Sequence, residues 1–172
     1  FSRKEASESI QDYFQNENIV GISDIDTRAL VRHIRHKGAM NAIISSEITD
    51  LEALKAKLAA VPSMDGLELS SQVSTKTPYF HGSPEATYKI AALDLGIKKN
   101  ILRNFDDRDI YVQVFPAKTT FEEMNAWGAD WYFISNGPGD PSAMPYAIET
   151  VKEILAADKP VFGICLGHQL LA

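Results

Sequence analysis

The hydrophobic positions of the second half of the chain form four apolar runs that alternate with segments of helical length. The runs begin at Ile90, Ile110, Trp131 and Val161, and the segments between them cover residues 97–105, 120–127 and 144–157. Near-continuous apolar strands joined by helices are typical of a parallel sheet covered on both faces. The right-handed crossover rule then predicts a doubly wound, mostly parallel α/β domain over residues 87–172.

The first half of the chain has helical rather than strand periodicity. Apolar residues spaced three and four apart predict a helix from Thr27 to about Lys37, capped by Asp26. A second helix is predicted from Thr49, because Glu52 follows it at the spacing of a capping box. A short strand is predicted between the two helices, at residues 41–45.

A stretch rich in Pro, Gly, Ser and Thr, residues 62–87, separates the two patterns and is predicted to be a linker or irregular loop. The sequence therefore predicts two domains. Residues 1–86 form part of a smaller α+β domain together with the linker, and residues 87–172 form the first part of the α/β domain.

Composition excludes several classes of protein. The chain has 172 residues, 45% of them hydrophobic, and a formal net charge of -6, which argues against a nucleic-acid binder. No apolar run approaches the ~18 residues of a membrane span. A single cysteine cannot form an internal disulfide. We expect a soluble, cytoplasmic protein that binds neither nucleic acid nor a membrane.

Cys165 has the surroundings of a catalytic nucleophile. Gly163 and Gly167 flank it in the pattern G-x-C-x-G, directly after the strand predicted from Val161 to Ile164 and before a helical start at His168. This is the form of a nucleophile elbow. The positive end of the helix dipole would favour the thiolate there, and the N–H of Leu166 would point to a developing oxyanion. The alternative is a buried structural thiol.

A glycine-rich loop follows another predicted strand. Residues 135–141, Ser-Asn-Gly-Pro-Gly-Asp-Pro, come directly after the apolar run at Trp131. Such a loop is also a simple turn-former, but beside the elbow it would bring a bare backbone N–H to the substrate. By contrast, Asp94-Leu-Gly96 after the first strand lacks the glycine spacing of a phosphate loop.

The elbow and the glycine-rich loop together resemble the class I glutamine amidotransferases, over about residues 88–172. The resemblance implies a flavodoxin-like fold in which Cys165 attacks the side-chain amide of L-glutamine. A γ-glutamyl thioester forms, ammonia leaves, and water releases glutamate. It also implies that the N–H groups of Gly137 and Leu166 form the oxyanion hole. The residues implied to contact the bound glutamine are Gly137, Gly139, Leu166 and Gln169.

The first half narrows the resemblance. Residues 20–30, 32–35 and 38–41 are similar to the small subunits of carbamoyl-phosphate synthases, and residues 93–102 look like the opening of their amidotransferase domain. The resemblance implies a partner, the large synthetase subunit. That subunit uses ATP, bicarbonate and magnesium to make carbamoyl phosphate for arginine and pyrimidine synthesis. No cofactor or metal is expected in this chain.

The resemblance places the catalytic histidine and its acidic partner well downstream of the cysteine, whereas this chain ends at Ala172. With Phe1 as its first residue, the chain is expected to be a fragment truncated at both ends and inactive by itself. The histidines present, His33, His36, His81 and His168, are interpreted as structural or solvated.

Alternatives remain for the function and for one surface. The chain could be a non-catalytic, amidotransferase-like docking subunit or another α/β cysteine hydrolase. The basic face of the first predicted helix is either solvated or a contact with the large subunit; it carries Arg28, Arg32, Arg35, His36 and Lys37.

Overall fold

The computed structural model describes residues 8–38 and 40–172. Residues 1–7 and Ala39, which belong to the predicted first domain, lie outside the described residues. The chain divides into two compact units, one ending at Met64 and one running from Asp65 to Ala172. None of the helices in the described ranges is long and apolar enough to cross a bilayer.

The described residues of the first unit form three helices: α1 Ile10–Asn16, α2 Thr27–Lys37 and α3 Leu51–Ala59. The prediction for α2 is confirmed, including its cap, because the Asp26 side chain accepts a hydrogen bond from the N–H of Ala29 at 2.9 Å. Helix α1 was not predicted. Its seven residues are too few to display a clear periodicity.

Two local predictions in this unit are wrong. Helix α3 is capped by Asp50 rather than Thr49: the Asp50 carboxylate accepts from the N–H of Ala53 at 2.8 Å, and such a charge-assisted bond is stronger than one to a hydroxyl. The strand expected at residues 41–45 is absent from the described residues. The Ser45 hydroxyl accepts from the N–H of Ile48 at 2.8 Å, which turns the chain, and no described segment of the unit pairs with this one.

The second unit alternates strands and helices. Its strands are β1 Tyr79–His81, β2 Tyr88–Asp94, β3 Ile110–Pro116, β4 Trp131–Ile134 and β5 Val161–Gly163. Its helices are α4 Ser70–Val73, α5 Lys99–Asp106, α6 Phe121–Ala126, α7 Pro145–Ala156 and α8 Leu166–Leu171. A 3₁₀ turn, Pro141–Ala143, precedes α7.

The five strands form one sheet in the order β1-β3-β2-β4-β5. Strands β2 to β5 pair in parallel, and only β1 is antiparallel to its neighbour β3. The prediction of a doubly wound, mostly parallel α/β domain is confirmed. Strand β1 was missed because it is only three residues long and follows Pro78 in a loop-like composition.

The central strand β2 is buried on both faces, from Ile90 to Asp94. Alternate residues enter two separate cores, as the two-residue period of a strand requires. Ala91 and Leu93 join the core formed with α6, α7 and α8. Ile90 and Ala92 join the core that includes Leu102 of α5. Helices therefore cover both faces of the sheet.

Part of the stretch predicted to be a linker is ordered and belongs to the second unit. Residues 65–86 contain α4 and β1. Their polar side chains form hydrogen bonds to the α/β unit, which composition alone does not reveal. The domain boundary predicted at residues 86/87 stays a prediction. The compact units show how the chain packs, not where one evolutionary domain ends and the next begins.

Asp94 fixes the loop at the end of β2. Its carboxylate is buried and accepts three backbone hydrogen bonds, from the N–H groups of Thr75, Gly96 and Ile97 at 2.8, 2.9 and 2.8 Å. A buried carboxylate needs such donors to offset the loss of its hydration. It therefore ties the end of β2 to the segment before β1.

Replacing Asp94 with Ala is expected to lower the free energy of unfolding by about 2–4 kcal/mol, because three partly buried N–H groups would lose their acceptor. Denaturant unfolding followed by tryptophan fluorescence measures this in the second unit, since Trp127 and Trp131 both lie there. The control is Asp107→Ala, an exposed carboxylate whose loss should cost less than about 0.5 kcal/mol. Equal effects of the two substitutions would contradict the prediction.

Candidate active site

The carboxyl ends of β2, β4 and β5 meet at one edge of the sheet. Strand β2 is first in the parallel set and β4 is third, yet they are neighbours, so the strand order reverses between them. Ligands bind outside such a reversal in open α/β sheets. The loop after β4 carries Gly137, and the turn after β5 carries Cys165. The fold thus brings both predicted motifs to the same edge.

Cys165 occupies a strained position between β5 and α8. Its backbone has φ 54° and ψ −111°, a region that residues with a side chain rarely adopt. Its carbonyl accepts from the N–H of Gln169 at 3.0 Å, so α8 begins at Leu166, two residues earlier than predicted. The side chain is exposed, which contradicts the alternative of a buried structural thiol.

The strained turn depends on backbone contact between α8 and β4. A Cβ atom at Gly167 would lie 2.1 Å from the carbonyl oxygen of Ile134, and one at Gly163 would lie 2.5 Å from the carbonyl oxygen of Gly167. Such distances are shorter than any van der Waals contact. The two glycines of the G-x-C-x-G pattern are therefore required for packing as well as for the turn.

The glycine-rich loop is packed as closely against the loop after β2. A Cβ atom at Gly137 would lie 2.0 Å from the carbonyl oxygen of Leu95. The Asn136 amide strengthens the same contact by donating to the carbonyl of Gly96 at 2.9 Å. A substitution at Gly137 consequently disturbs packing as well as chemistry and does not isolate its N–H group.

The N–H groups predicted to form the oxyanion hole, those of Gly137 and Leu166, have no hydrogen-bond acceptor within residues 8–38 and 40–172. The neighbouring N–H of Gly167 does have one, the carbonyl of Ser135, at 3.1 Å. This bond joins the elbow to the first residue of the glycine-rich loop.

A segment far away in sequence lies against the loop. We call residues 66–74 the cover segment. Asp140 donates its N–H to the carbonyl of Leu67 at 2.9 Å and accepts from the N–H of Gly66 at 2.8 Å. The hydroxyl of Ser70, a buried residue, donates to the carbonyl of Pro138 at 2.9 Å. The cover segment thus restrains the second half of the loop, from Pro138 to Asp140.

Gly139 is a further point of contact between the glycine-rich loop and the cover segment. It has φ +106° and forms an isolated antiparallel bridge with Glu68. A Cβ atom there would lie 2.8 Å from the carbonyl oxygen of Leu67. Gly139 was predicted to contact substrate, and the structure adds that its backbone contacts the cover segment.

Two acidic groups keep this region charged. Burial raises the pKa of Glu68, but hydrogen bonds from Ser71 and Tyr146 and the charge of Lys118 outweigh it, so that pKa lies below its ordinary value. The N–H of Gly66 and the bonds from Ser142 lower the pKa of Asp140. Both carboxylates remain ionised hydrogen-bond acceptors at neutral pH.

Of the remaining residues considered from the sequence, Gln169 and His168 lie on α8, and the other three histidines lie on α2 and β1. Gln169 has an exposed side chain one turn after Cys165, and His168 is exposed beside it. His33 and His36 are exposed on α2, while Nε2 of His81 in β1 is buried and has no hydrogen-bond partner among the described residues. In the part of the chain that the structure describes, no cluster of three or more His, Cys, Asp or Glu side chains is arranged to hold a metal ion.

Sequence reasoning missed the residues that support the site. Ser135 could have been found from the sequence, because a polar residue directly after a buried strand lies at the edge of the sheet where ligands bind. No feature of the sequence points to Ser70, because it lies 68 residues before its acceptor Pro138, in a stretch with the composition of a loop.

Comparison with known proteins identifies both halves of the chain. The family model for class I glutamine amidotransferases matches residues 91–172. The model for the carbamoyl-phosphate synthase small chain, CPSase domain, matches residues 1–44.

Curated relatives match nearly the whole chain. A carbamoyl phosphate synthase small chain of Chlorobaculum tepidum is 47% identical, over 100% of this chain and 48% of the relative. Those of Synechococcus and Vibrio parahaemolyticus are each 44% identical over 96% of this chain and cover 46% and 48% of the relative. The chain therefore spans about half the length of the curated relatives it matches.

Gly167→Ala is expected to lower the free energy of unfolding by at least about 3 kcal/mol, because the new methyl group would meet the backbone of β4. The control is Gly128→Ala. Gly128 has φ +74° but open space around it, so only the backbone penalty of about 1 kcal/mol applies. Denaturant unfolding compares them, and an equal or smaller loss at Gly167 would refute the close packing.

Proposed function

The chain belongs to the family of carbamoyl phosphate synthase small chains, and from this premise we propose that it is the glutamine-hydrolysing component of that enzyme. Its substrate is L-glutamine, and its product for the synthetase is ammonia. The observation that carries the proposal is the backbone of Cys165, held at φ 54° between β5 and α8.

The surroundings of Cys165 support a nucleophile rather than a structural thiol. The side chain is exposed and belongs to neither core, so core packing does not explain why a cysteine occupies the strained turn. Strained backbone that the surrounding structure enforces is typical of functional sites. Here the strained backbone is held in place by the close backbone contacts at Gly163 and Gly167.

The proposed reaction follows from this arrangement. The Cys165 sulfur, as thiolate, attacks the side-chain amide carbon of glutamine, and a C–S bond forms while the carbonyl oxygen becomes an oxyanion. The N–H groups of Gly137 and Leu166 donate to that oxygen. The C–N bond then breaks, and the nitrogen leaves as ammonia after it receives a proton. Water attacks the resulting thioester, the C–S bond breaks, and glutamate and the thiol are released.

Gly139 and Gln169 are proposed as further contacts of the bound glutamine. Gly139 lies two residues after Gly137 in the same loop, and the exposed side chain of Gln169 projects from the helix that begins beside Cys165. Both therefore belong to the elements that meet at the carboxyl edge of the sheet.

The wider context of the reaction is also part of the proposal. Ammonia would pass to the large synthetase subunit, where ATP, bicarbonate and magnesium are used to make carbamoyl phosphate. Arginine and pyrimidine synthesis in the cytoplasm would consume that product. The grounds are the resemblance of both halves of the chain to the family, which the two family models support.

Two other functions compete with this one. A docking subunit without catalysis would need neither the strain at Cys165 nor the close approach of backbone at Gly137. Another α/β cysteine hydrolase would share the elbow, but it would not release ammonia from glutamine. An assay of glutamine turnover therefore separates the proposed function from both alternatives.

Cys165→Ser in the natural protein is expected to lower glutamine-dependent synthesis of carbamoyl phosphate by at least about a thousandfold, because a hydroxyl is far less acidic than a thiol. Synthesis from added ammonia should be unchanged, and it serves as the internal control for folding and assembly. Both rates are measured by product formation. Normal glutamine turnover in this variant would remove Cys165 from the mechanism.

The basic face of α2 is proposed as a contact with the large subunit. Arg28, Arg32 and Arg35 are all exposed. The apolar residues of the same helix are exposed as well: Leu30 is 46%, Val31 49% and Ile34 41% accessible. These apolar residues form a separate stripe of the helix, so the proposal of a contact through the basic face rests on its exposed cluster of positive charge.

Reversing Arg28 and Arg32 to Glu is expected to weaken association with the large subunit by at least about tenfold at low salt, where charge contacts are least screened. The matched control is the same reversal of Lys99 and Arg103, two exposed residues of α5. Sedimentation or calorimetric titration measures the affinity. Unaltered binding, or an equal loss in the control, would favour the solvated-face interpretation.

A further inference from the structure

One buried hydroxyl lies at the start of the glycine-rich loop. Ser135 directly follows β4 and is 0% exposed. A serine hydroxyl has one proton to donate and can accept through its lone pairs. That of Ser135 donates to the carbonyl of Asn136 at 2.8 Å and accepts from the N–H of Leu95 at 2.9 Å. Its donor proton and one of its lone pairs are therefore used within the loop junction.

The acceptor at Asn136 gives this hydroxyl a direct effect on Gly137. The carbonyl of Asn136 and the N–H of Gly137 belong to the same peptide group, which is planar and trans. A bond that fixes the direction of the C=O therefore fixes the opposite direction of the N–H. Because Gly137 lacks a side chain, the residue itself restricts rotation of this peptide less than any other residue would.

The backbone of Ser135 restrains the other donor. Its carbonyl accepts from the N–H of Gly167 at 3.1 Å, and its own N–H donates to the carbonyl of Leu93 at 3.2 Å. Gly167 immediately follows Leu166, whose N–H is the second predicted oxyanion donor. One residue thus connects β2, the glycine-rich loop and the first turn of α8.

We propose that Ser135 is the positioning residue of the oxyanion hole. Its hydroxyl holds the Asn136–Gly137 peptide in the orientation that lets the N–H donate to the oxyanion, and its carbonyl holds α8 at a fixed place relative to that peptide. The inference rests on the proposed function, since an oxyanion forms only if Cys165 attacks a carbonyl group. In this proposal Ser135 acts only through the Asn136–Gly137 peptide and the first turn of α8.

The test is Ser135→Ala in the natural protein. The kcat for glutamine hydrolysis is expected to fall about 10–100-fold, somewhat less than the loss of a whole oxyanion donor. The KM should stay within about threefold, because the interaction strengthens only in the transition state. A purely structural hydroxyl would change stability and leave kcat as it is.

The matched control is Thr150→Val. Thr150 is also buried, at 4% exposure, and its hydroxyl also donates to a backbone carbonyl, that of Thr119 at 3.1 Å. This bond joins α7 to the segment after β3, outside the loop junction. The control should lose stability to a degree similar to Ser135→Ala and keep its kcat.

A second readout separates positioning of the oxyanion hole from damage to the elbow. Alkylation of Cys165 by iodoacetamide displaces iodide at a saturated carbon and forms no oxyanion. Its rate should therefore stay within about twofold of the parent rate in Ser135→Ala. Parallel losses of alkylation and turnover would mean that the hydroxyl supports the whole elbow, which would overturn the proposal. An unchanged kcat in folded Ser135→Ala would overturn it as well.

Two further outcomes remain informative. If Ser135→Ala does not fold, Ser135→Cys keeps the volume and supplies only a weak donor. A kcat reduced at least about fivefold in that variant supports the proposal, and a parent-like kcat overturns it.

The Cys165→Ser variant distinguishes failure of the proposed function from failure of the role proposed for Ser135. Turnover that survives Cys165→Ser refutes the proposed function, whereas turnover lost there and unchanged in the Ser135 variants refutes only the role of Ser135.

Discussion

The site depends on a contact between two backbones with no side chain between them. Helix α8 approaches the end of β4 so closely that a methyl group at Gly167 would lie 2.1 Å from the carbonyl oxygen of Ile134. This approach allows the N–H of Gly167 to reach Ser135 at 3.1 Å, and it requires the turn that gives Cys165 its positive φ. Each such hydrogen bond contributes only about 1 kcal/mol to stability. Its greater effect is geometric, because it sets where the thiol and the two N–H groups lie relative to one another.

The core of the second unit could be predicted from the sequence because burial on both faces leaves a strong signal. From Ile90 to Leu93, strand β2 is a run of apolar residues with no polar alternation, followed by Asp94, and such runs between helical segments are typical of a parallel sheet covered by helices. The elbow was predictable for a related reason. Two glycines at fixed distances from Cys165 mark a close approach that no other residue permits.

Other features could not be predicted because their cause lies far away in the sequence. Strand β1 exists through its pairing with β3 and has too few residues to show a period. The strand expected at residues 41–45 failed for the opposite reason, since β-propensity without a partner strand is a weak determinant. Asp50 displaced Thr49 as a cap because side-chain charge, which spacing does not reveal, decided between neighbouring candidates. The support of the loop by Ser70 is likewise a long-range contact.

The cover segment has a consequence for how domains of this kind can be exchanged between proteins. Residues 66–74 contribute hydrogen bonds to Pro138 and Asp140, and their backbone bridges Gly139. A recombination event that joined the α/β domain to a new neighbour at residue 87 would leave these groups behind and expose the loop that carries Gly137. Inheritance of the catalytic fold without loss of its loop geometry therefore requires a crossover before Gly66, within what its composition presents as a dispensable linker.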